Sequence, residues 1–217
     1  GAVFVHGVKG FPEGKRTLQM IGEKREDIAA SGAVLSGPNF AIEIAQGSPT
    51  ATVIASRDEF ARTELRAVFH RDNFHVHSES DVIGVETGGA SKNIDAFLMG
   101  VSAGQGASEM VQALLAVQFL KESTRMGIAM GAKADTFIGP SYLGDLLLTG
   151  RSEHSRNFTA GRELGSGMIT VEELLESGRT IEGIYAAQWI ETLEKTYAVD
   201  LRLKKIAFNI LYRSLPV

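Results

Sequence analysis

The segment Ala33-Val-Leu-Ser-Gly-Pro-Asn-Phe-Ala41 compresses a strand, a turn and a helix start into one short run. Ala33 to Ser36 carries a β-branched residue and Leu, the Gly-Pro pair breaks the extended chain, and Asn39 is a suitable N-cap for a helix from Asn39 to Gln46. Working outward, the same punctuation marks strands at Ala2 to Val8, Ala51 to Ser56 and Phe74 to His77, each bounded by Gly, Pro, Ser or Asp. Helical periodicity fills Thr17 to Ala30 and Asp58 to His70, the latter capped by Asp58. This is the rhythm of βαβ units, in which ligands bind at the carboxyl ends of strands. Ser36 to Ala41 stands at one such end and Lys9, closing the first strand, at another. A plain turn and a solvated lysine are the alternative readings.

After Asp81 the β-rich runs stop and apolar residues recur at i, i+3 and i+4 to the C-terminus. The periodicity predicts helices over Asp81 to Val101, Ser108 to Met130, part of Asp135 to Thr149, Ser155 to Leu164, Thr170 to Ser177, Glu182 to Tyr197 and Leu201 to Leu211, with Gly131, Gly150, Gly165 and Gly178 at their ends. A boundary is expected near residue 80, giving an α/β part over 1–80 and an all-α part over 81–217. The 217 residues carry 22 Lys plus Arg against 26 Asp plus Glu, interspersed, for a net charge of −4. No basic stripe exists to track a phosphate backbone, so a nucleic-acid partner is not expected. The 44% apolar content suffices for a core, and no apolar run approaches the ~18 residues of a membrane span. With no cysteine, disulfides, thiolate metal sites and a cysteine nucleophile are excluded. The opening Gly1 to Val8 has no signal-peptide pattern and reads as a strand with nothing before it, so a piece of a longer chain is expected.

Three clusters offer chemistry. Gly88-Gly-Ala-Ser-Lys-Asn93 lies inside a long helix, where each glycine costs about 1 kcal/mol relative to Ala. Either the glycines allow tight helix packing, or they admit a ligand while a partly desolvated Lys92 acts as a base and Asn93 orients a polar substrate. Asp145 to Gly150 is followed by Ser155-Arg-Asn157 at a helix start, which is either a plain N-cap with a solvated Arg or a phosphate site. His75 and His77 share a strand face but have no third ligand at a matching spacing, so no metal site is expected. Neither G-x-G-x-x-G nor G-x-x-x-x-G-K-[ST] occurs, although Gly104-Gln-Gly106-Ala-Ser-Glu comes close.

In order, Leu35-Ser-Gly-Pro-Asn-Phe-Ala41, Asp81-Val-Ile-Gly-Val-Glu86, Gly88-Gly-Ala-Ser-Lys-Asn93, Leu143-Gly-Asp-Leu146, Ser155-Arg-Asn157 and Glu182-Gly183 resemble the successive signatures of the soluble, bacterial-type NAD(P)-dependent glycerol-3-phosphate dehydrogenases. The resemblance implies the second half of a Rossmann-like domain over 1–80 and a helical substrate domain of the 6-phosphogluconate dehydrogenase C-terminal kind over 81–217, with the glycine-rich cofactor turn in a missing first part. It implies Lys92 as proton acceptor, with Lys9 and Asp145 as further catalytic groups. Substrate contacts are implied at Lys9, Gly37, Asn39, Lys92, Asp145, Thr149, Ser155, Arg156 and Asn157, and NAD or NADP contacts at Ala41, Arg156, Thr180 and Glu182. Val8, Asn39 and Thr180 depart from the family's usual residues, as do Met110 and Gln112, which stand where an Asn and a Lys are typical. These departures leave open a related dehydrogenase for another hydroxy substrate, and the missing part leaves open a non-catalytic phosphate-binding or dimer-forming module. A phosphorylated small-molecule substrate, a homodimer and a cytoplasmic location are the remaining expectations.

Overall fold

The computed structural model describes residues 2–217. Its first part is a four-stranded sheet in chain order, β1 (Val5–His6), β2 (Ala33–Ser36), β3 (Thr50–Ser56) and β4 (Phe74–Glu79). The expected first strand, Ala2 to Val8, shrinks to Val5–His6, which has one neighbour to pair with, β2. The β1–β2 and β3–β4 pairs are parallel, but Ala33 pairs with Ser56 and Ser36 with Val53, so β2 and β3 are antiparallel. That corrects the expectation of uninterrupted βαβ units. The intervening helix α3 (Ala41–Ala45) has five residues and, at 1.5 Å per residue, spans only about 7.5 Å, too short to return the chain along β2.

The long first helix breaks into α1 (Thr17–Gly22) and α2 (Glu26–Ser31). Asn39 does not cap α3: its amide donates to Ala51 O at 3.2 Å and Thr50 Oγ1 at 3.4 Å, tying the turn after β2 to β3. Asp58 does cap α4 (Glu59–Phe69), accepting from Phe60 N at 3.0 Å.

The second part is built on α5 (Val82–Gly104), whose side chains are buried almost throughout. Asp81 caps it, accepting from Gly84 N, Lys133 N and Thr136 Oγ1. Around it pack α6 (Glu109–Ala129), a 3₁₀ turn (Ala134–Ile138), a π-helical turn (Pro140–Gly144), α7 (Asp145–Thr149), α8 (Arg156–Gly165), α9 (Val171–Glu176), α10 (Glu182–Ala187), α11 (Ile190–Tyr197) and α12 (Arg202–Tyr212). The stretch expected as one helix from Glu182 to Tyr197 is divided at Gln188 and Trp189. Gly165 ends α8 in helical geometry, and the left-handed turn falls on Gly167 at φ 74°. Phe97, Phe119, Phe137, Tyr142 and Leu146 form the centre of the helical core.

Helices α5 and α8 meet along glycines spaced four apart on both sides, Gly100 and Gly104 against Gly161 and Gly165. A β-carbon at Gly161 would fall inside the van der Waals shell of Phe97 O, and one at Gly100 inside that of Phe158 O. The backbones are therefore in direct contact, which brings the start of α8 against the middle of α5. Gly161→Ala should force the helices apart and lower the unfolding free energy by about 1–3 kcal/mol, the usual cost of overpacking. Equilibrium denaturation of the variant reads this directly, and an unchanged midpoint would contradict it.

Candidate functional site

Lys92 projects from the middle of α5 and is 5% exposed; Asp145, the first residue of α7, is 1% exposed. Lys92 Nζ donates to Asp145 Oδ1 at 3.0 Å, and Lys9 Nζ, arriving after β1, donates to Oδ2 at 2.7 Å. One carboxylate thus bridges two ammonium groups at the seam between sheet and helices. Lys9 is the more open of the two and also donates to Gly37 O at 3.2 Å, which ties the end of β2 into the cluster. Burial pushes the Lys92 ammonium below its ordinary value, Asp145 opposes that shift, the charge on Lys9 adds to it, and Glu182 also opposes it.

A second layer holds these groups in register. Asn93 Nδ2 donates to Lys9 O at 3.1 Å and to Glu182 Oε2 at 2.9 Å, while Asn93 Oδ1 accepts from Asn157 Nδ2 at 3.0 Å. Asn157 Oδ1 in turn accepts from Gly183 N at 2.8 Å. Asn93 and Asn157 are therefore spent on the protein itself, joining the segment after β1 to α5, α8 and α10, rather than free for a ligand. Gly183 has to be glycine, since a β-carbon there would collide with Asn93 O.

The remaining residues divide. Ser155 caps α8, accepting from Phe158 N at 3.3 Å, and Thr149 donates to Asp145 O at 2.6 Å. Arg156 is exposed, has no acidic partner among the described residues, and lines a cavity of ≈ 300 Å³ with Glu153, Thr159, Arg179, Thr180 and Ile181. Phe40 packs edge-on against His154 at 5.9 Å between ring centres, so the turn after β2 lies beside the loop leading to α8. Ala41 opens α3 at the surface just beyond it. Asn39 points instead to β3, outside the Lys92 cluster.

The two glycines before Lys92 are explained by protein neighbours. A β-carbon on Gly88 would lie 3.0 Å from Tyr142 Cβ, and one on Gly89 2.9 Å from Ser36 Oγ. Close packing, rather than a ligand, is what they accommodate. Gln112 donates to Met99 O at 3.3 Å and Met110 is 76% exposed on α6, so neither departure touches the lysine cluster. His75 packs edge-on against His70, and no group of three His, Cys, Asp or Glu is placed to hold a metal ion among the described residues. Among the described residues no helix is long and apolar enough to cross a membrane.

The architecture is thus a mixed α/β sheet joined to an all-helical unit through a buried lysine–carboxylate–lysine cluster. Its sequence matches the family model for the C-terminus of NAD-dependent glycerol-3-phosphate dehydrogenase over residues 81–217 and that for the N-terminus over residues 1–61. The chain belongs to the NAD-dependent glycerol-3-phosphate dehydrogenase family. It is 39% identical to glycerol-3-phosphate dehydrogenase [NAD(P)+] of Methylibium petroleiphilum over 94% of this chain and 61% of that one. The protein of the same name from Staphylococcus haemolyticus is 36% identical over 99% of this chain and 65% of that one. The crystal structure of glycerol-3-phosphate dehydrogenase from Coxiella burnetii superposes with a TM-score of 0.91 at 32% identity, over 98% of this chain and 65% of that chain. The chain therefore spans about three-fifths to two-thirds of the length of these relatives.

Proposed function

We propose that these residues form the greater part of a dehydrogenase that interconverts dihydroxyacetone phosphate and sn-glycerol 3-phosphate with NAD or NADP, a cytoplasmic reaction serving phospholipid synthesis. On this reading residues 1–80 complete the cofactor-binding domain and 81–217 form the substrate domain. The observation that carries it is the buried Lys92–Asp145–Lys9 cluster beside the N-terminus of α8.

Arg156 and Thr180 suit the dinucleotide's pyrophosphate, because an exposed guanidinium without an acidic partner and a hydroxyl share one cavity. Ala41 and Glu182 complete the set assigned to the cofactor. When bound, the nicotinamide supplies or accepts the hydride. The chain's own residues do the rest. Lys92 donates its proton to the oxygen that becomes the secondary alcohol and, in reverse, removes it. Asp145 keeps Lys92 charged against its burial, and Lys9 adds positive charge where the oxygen becomes negative. Ser155, Arg156 and the amides opening α8 bind the phosphate, with Gly37, Thr149 and Asn157 shaping the surrounding wall and Asn39 acting only by tying the turn after β2 to β3, so that remote binding energy aligns the carbonyl.

The test is reduction of dihydroxyacetone phosphate by the full native enzyme, followed as NADH or NADPH consumption beside a panel of other 2-oxo substrates. Preference for another substrate would replace the assignment with a related dehydrogenase. These 217 residues by themselves should show no turnover, because they contain no glycine-rich dinucleotide turn. Measurable activity of the isolated chain would contradict that expectation. A homodimer is proposed as well, supported by the exposed apolar stripe Met110, Leu114 and Val117 on α6. Leu114→Asp should convert the native enzyme to a monomer in light scattering, and an unchanged mass would remove this face from consideration.

A further inference from the structure

Helix α5 is tied twice by side chains to the segment 140–149. One is Lys92 to Asp145; the other, one turn further along α5 and three residues earlier in the segment, is Asp95 to Tyr142. The Tyr142 hydroxyl donates to Asp95 Oδ2 at 2.8 Å, and both residues are fully buried. Lys204, fully buried on α12, lies 2.9 Å from Asp95 Oδ1 and donates to Ser123 Oγ at 2.8 Å. Ser123 Oγ also lies 2.9 Å from the Tyr142 hydroxyl and 2.7 Å from Ser91 Oγ. Glu122 fixes the far end, its carboxylate accepting from Leu203 N and Lys204 N at the start of α12.

We propose that Tyr142, Asp95 and Lys204 are a positioning network for the proton-donating pair, holding Asp145 in register against Lys92. The inference rests on the reading of Lys92 given above. Its basis is the geometry of the segment between Tyr142 and Asp145. Residues Pro140–Gly144 form a π-helical turn, closed by Gly144 N donating to Gly139 O at 3.2 Å. Such turns are uncommon and persist where neighbours hold them. Asp145 follows immediately, so its distance from Lys92 depends on whatever fixes that turn. Tyr142 is the one side chain of the turn with a hydrogen bond to α5, and Gly88 lets its β-carbon approach that helix closely. Burying Asp95 and Lys204 completely carries a desolvation penalty for each ion, and an apolar pair of similar volume would fill the core at lower cost. What the ionic pair adds is a unique registration of α12, α5 and the π turn.

The network acts on a proton that three groups face: Asp145 from α7, Lys9 from the segment after β1, and Glu182 from α10. If the turn shifts, Asp145 is the group that moves. Tyr142→Phe in the full native enzyme should therefore lower kcat for carbonyl reduction about tenfold, within the range that sub-ångström misplacement produces, with KM for the phosphorylated substrate nearly unchanged. The high-pH limb of kcat should move to lower pH, because an ammonium deprived of its carboxylate deprotonates earlier. A role confined to folding would lower the melting temperature and leave both kcat and the limb in place, and that result overturns the proposal. Asp95→Leu combined with Lys204→Met removes both charges and the acceptor of the Tyr142 hydroxyl together, so it strands no charge while releasing the turn, and the same kinetic shift is expected. Unchanged kinetics in a folded double variant also overturn the proposal. Titration of the Lys92 ¹³Cε resonance in the native chain and in Tyr142→Phe separates the two levels of inference. If the native enzyme reduces no dihydroxyacetone phosphate, the proposed function fails, and a Lys92 midpoint that still drops in Tyr142→Phe upholds the network. An unmoved midpoint rejects it.

Discussion

Lys92→Met in the full native enzyme should lower kcat/KM for carbonyl reduction about a thousandfold, within the range of about 10²–10⁴ supplied by a positioned acid or base. Methionine keeps the volume and the unbranched stem, and Asp145 keeps its 2.7 Å contact with Lys9, so the fold and the cluster's neutralisation survive. What disappears is the proton that meets the developing alkoxide. The pH dependence supplies the sign. Burial and Lys9 lower the Lys92 ammonium from its ordinary value, and reduction needs that ammonium protonated. Reduction should therefore hold at low pH and fall as pH rises through the depressed value, while alcohol oxidation gains over the same window. In Lys92→Met both limbs should vanish, leaving a flat residual rate. Lys9→Met should do less, because its ammonium sits at the partly exposed edge of the cluster and approaches the opposite carboxylate oxygen. Stopped-flow and steady-state profiles on the three proteins check this. A Lys92→Met enzyme that kept a native pH limb would place the proton donor elsewhere.

Much of the fold could be read from local pattern, because strands at 33–36, 51–56 and 74–77 and long amphipathic helices leave direct marks on residue order. What could not be read was pairing direction. Nothing in Ser36 to Thr50 distinguishes a crossover from a reversal until the length of α3 is known, and that length depends on Asn39 turning to β3 instead of capping the helix. The edge strand was overextended for a related reason. Val3 and Val5 have strand propensity, but only Val5 and His6 find a ladder partner. The break at Trp189 was likewise invisible, since apolar periodicity continues across it, whereas the break after Gly22 falls in the charged run Glu23 to Asp27.

The chemical cluster was more legible than its support. Lys92, Asp145 and Lys9 stand out as charged residues beside glycine-rich or strand-end segments, and the structure brings these three within hydrogen-bond range. Asn93 and Asn157 were read as groups that would meet substrate, whereas each is consumed by backbone and side-chain partners contributed by other elements. Asp95, Tyr142 and Lys204 were missed altogether, although Asp95 puts a charge on a helix buried almost throughout and invited the question of whether Lys204 or another cation pairs with it. That partner lies more than a hundred residues away in sequence, and no local rule reaches it. The paired glycines at 100, 104, 161 and 165 did carry a local signal, a spacing of four on each of two helices, that marks a close helix crossing.

The largest effect on stability is expected from Lys204→Met. Lys204 and Asp95 are both fully buried at 2.9 Å, and breaking such a pair from one side typically costs about 3–5 kcal/mol because the remaining charge has no compensation. Tyr142, Ser123 and Ser91 still surround Asp95, but neutral hydroxyls cannot replace an ammonium. Already in the native chain burial raises the Asp95 carboxyl above 3.8 against the pull of Lys204, with Glu122 adding to the rise. Removing Lys204 raises it further. A carboxyl whose folded value exceeds its unfolded one binds its proton more tightly in the folded state, so its contribution is present below the unfolded value and lost as pH rises through the folded one. The deficit of Lys204→Met relative to the native protein should therefore grow on going from acid toward neutral pH and then level off. Adding Asp95→Asn should recover most of the loss at neutral pH and flatten the dependence, because the amide carries no charge to strand. Denaturant unfolding of the native, single and double variants across that range tests the account, and a deficit independent of pH, or one that Asp95→Asn deepens, would show that Lys204 contributes through packing alone.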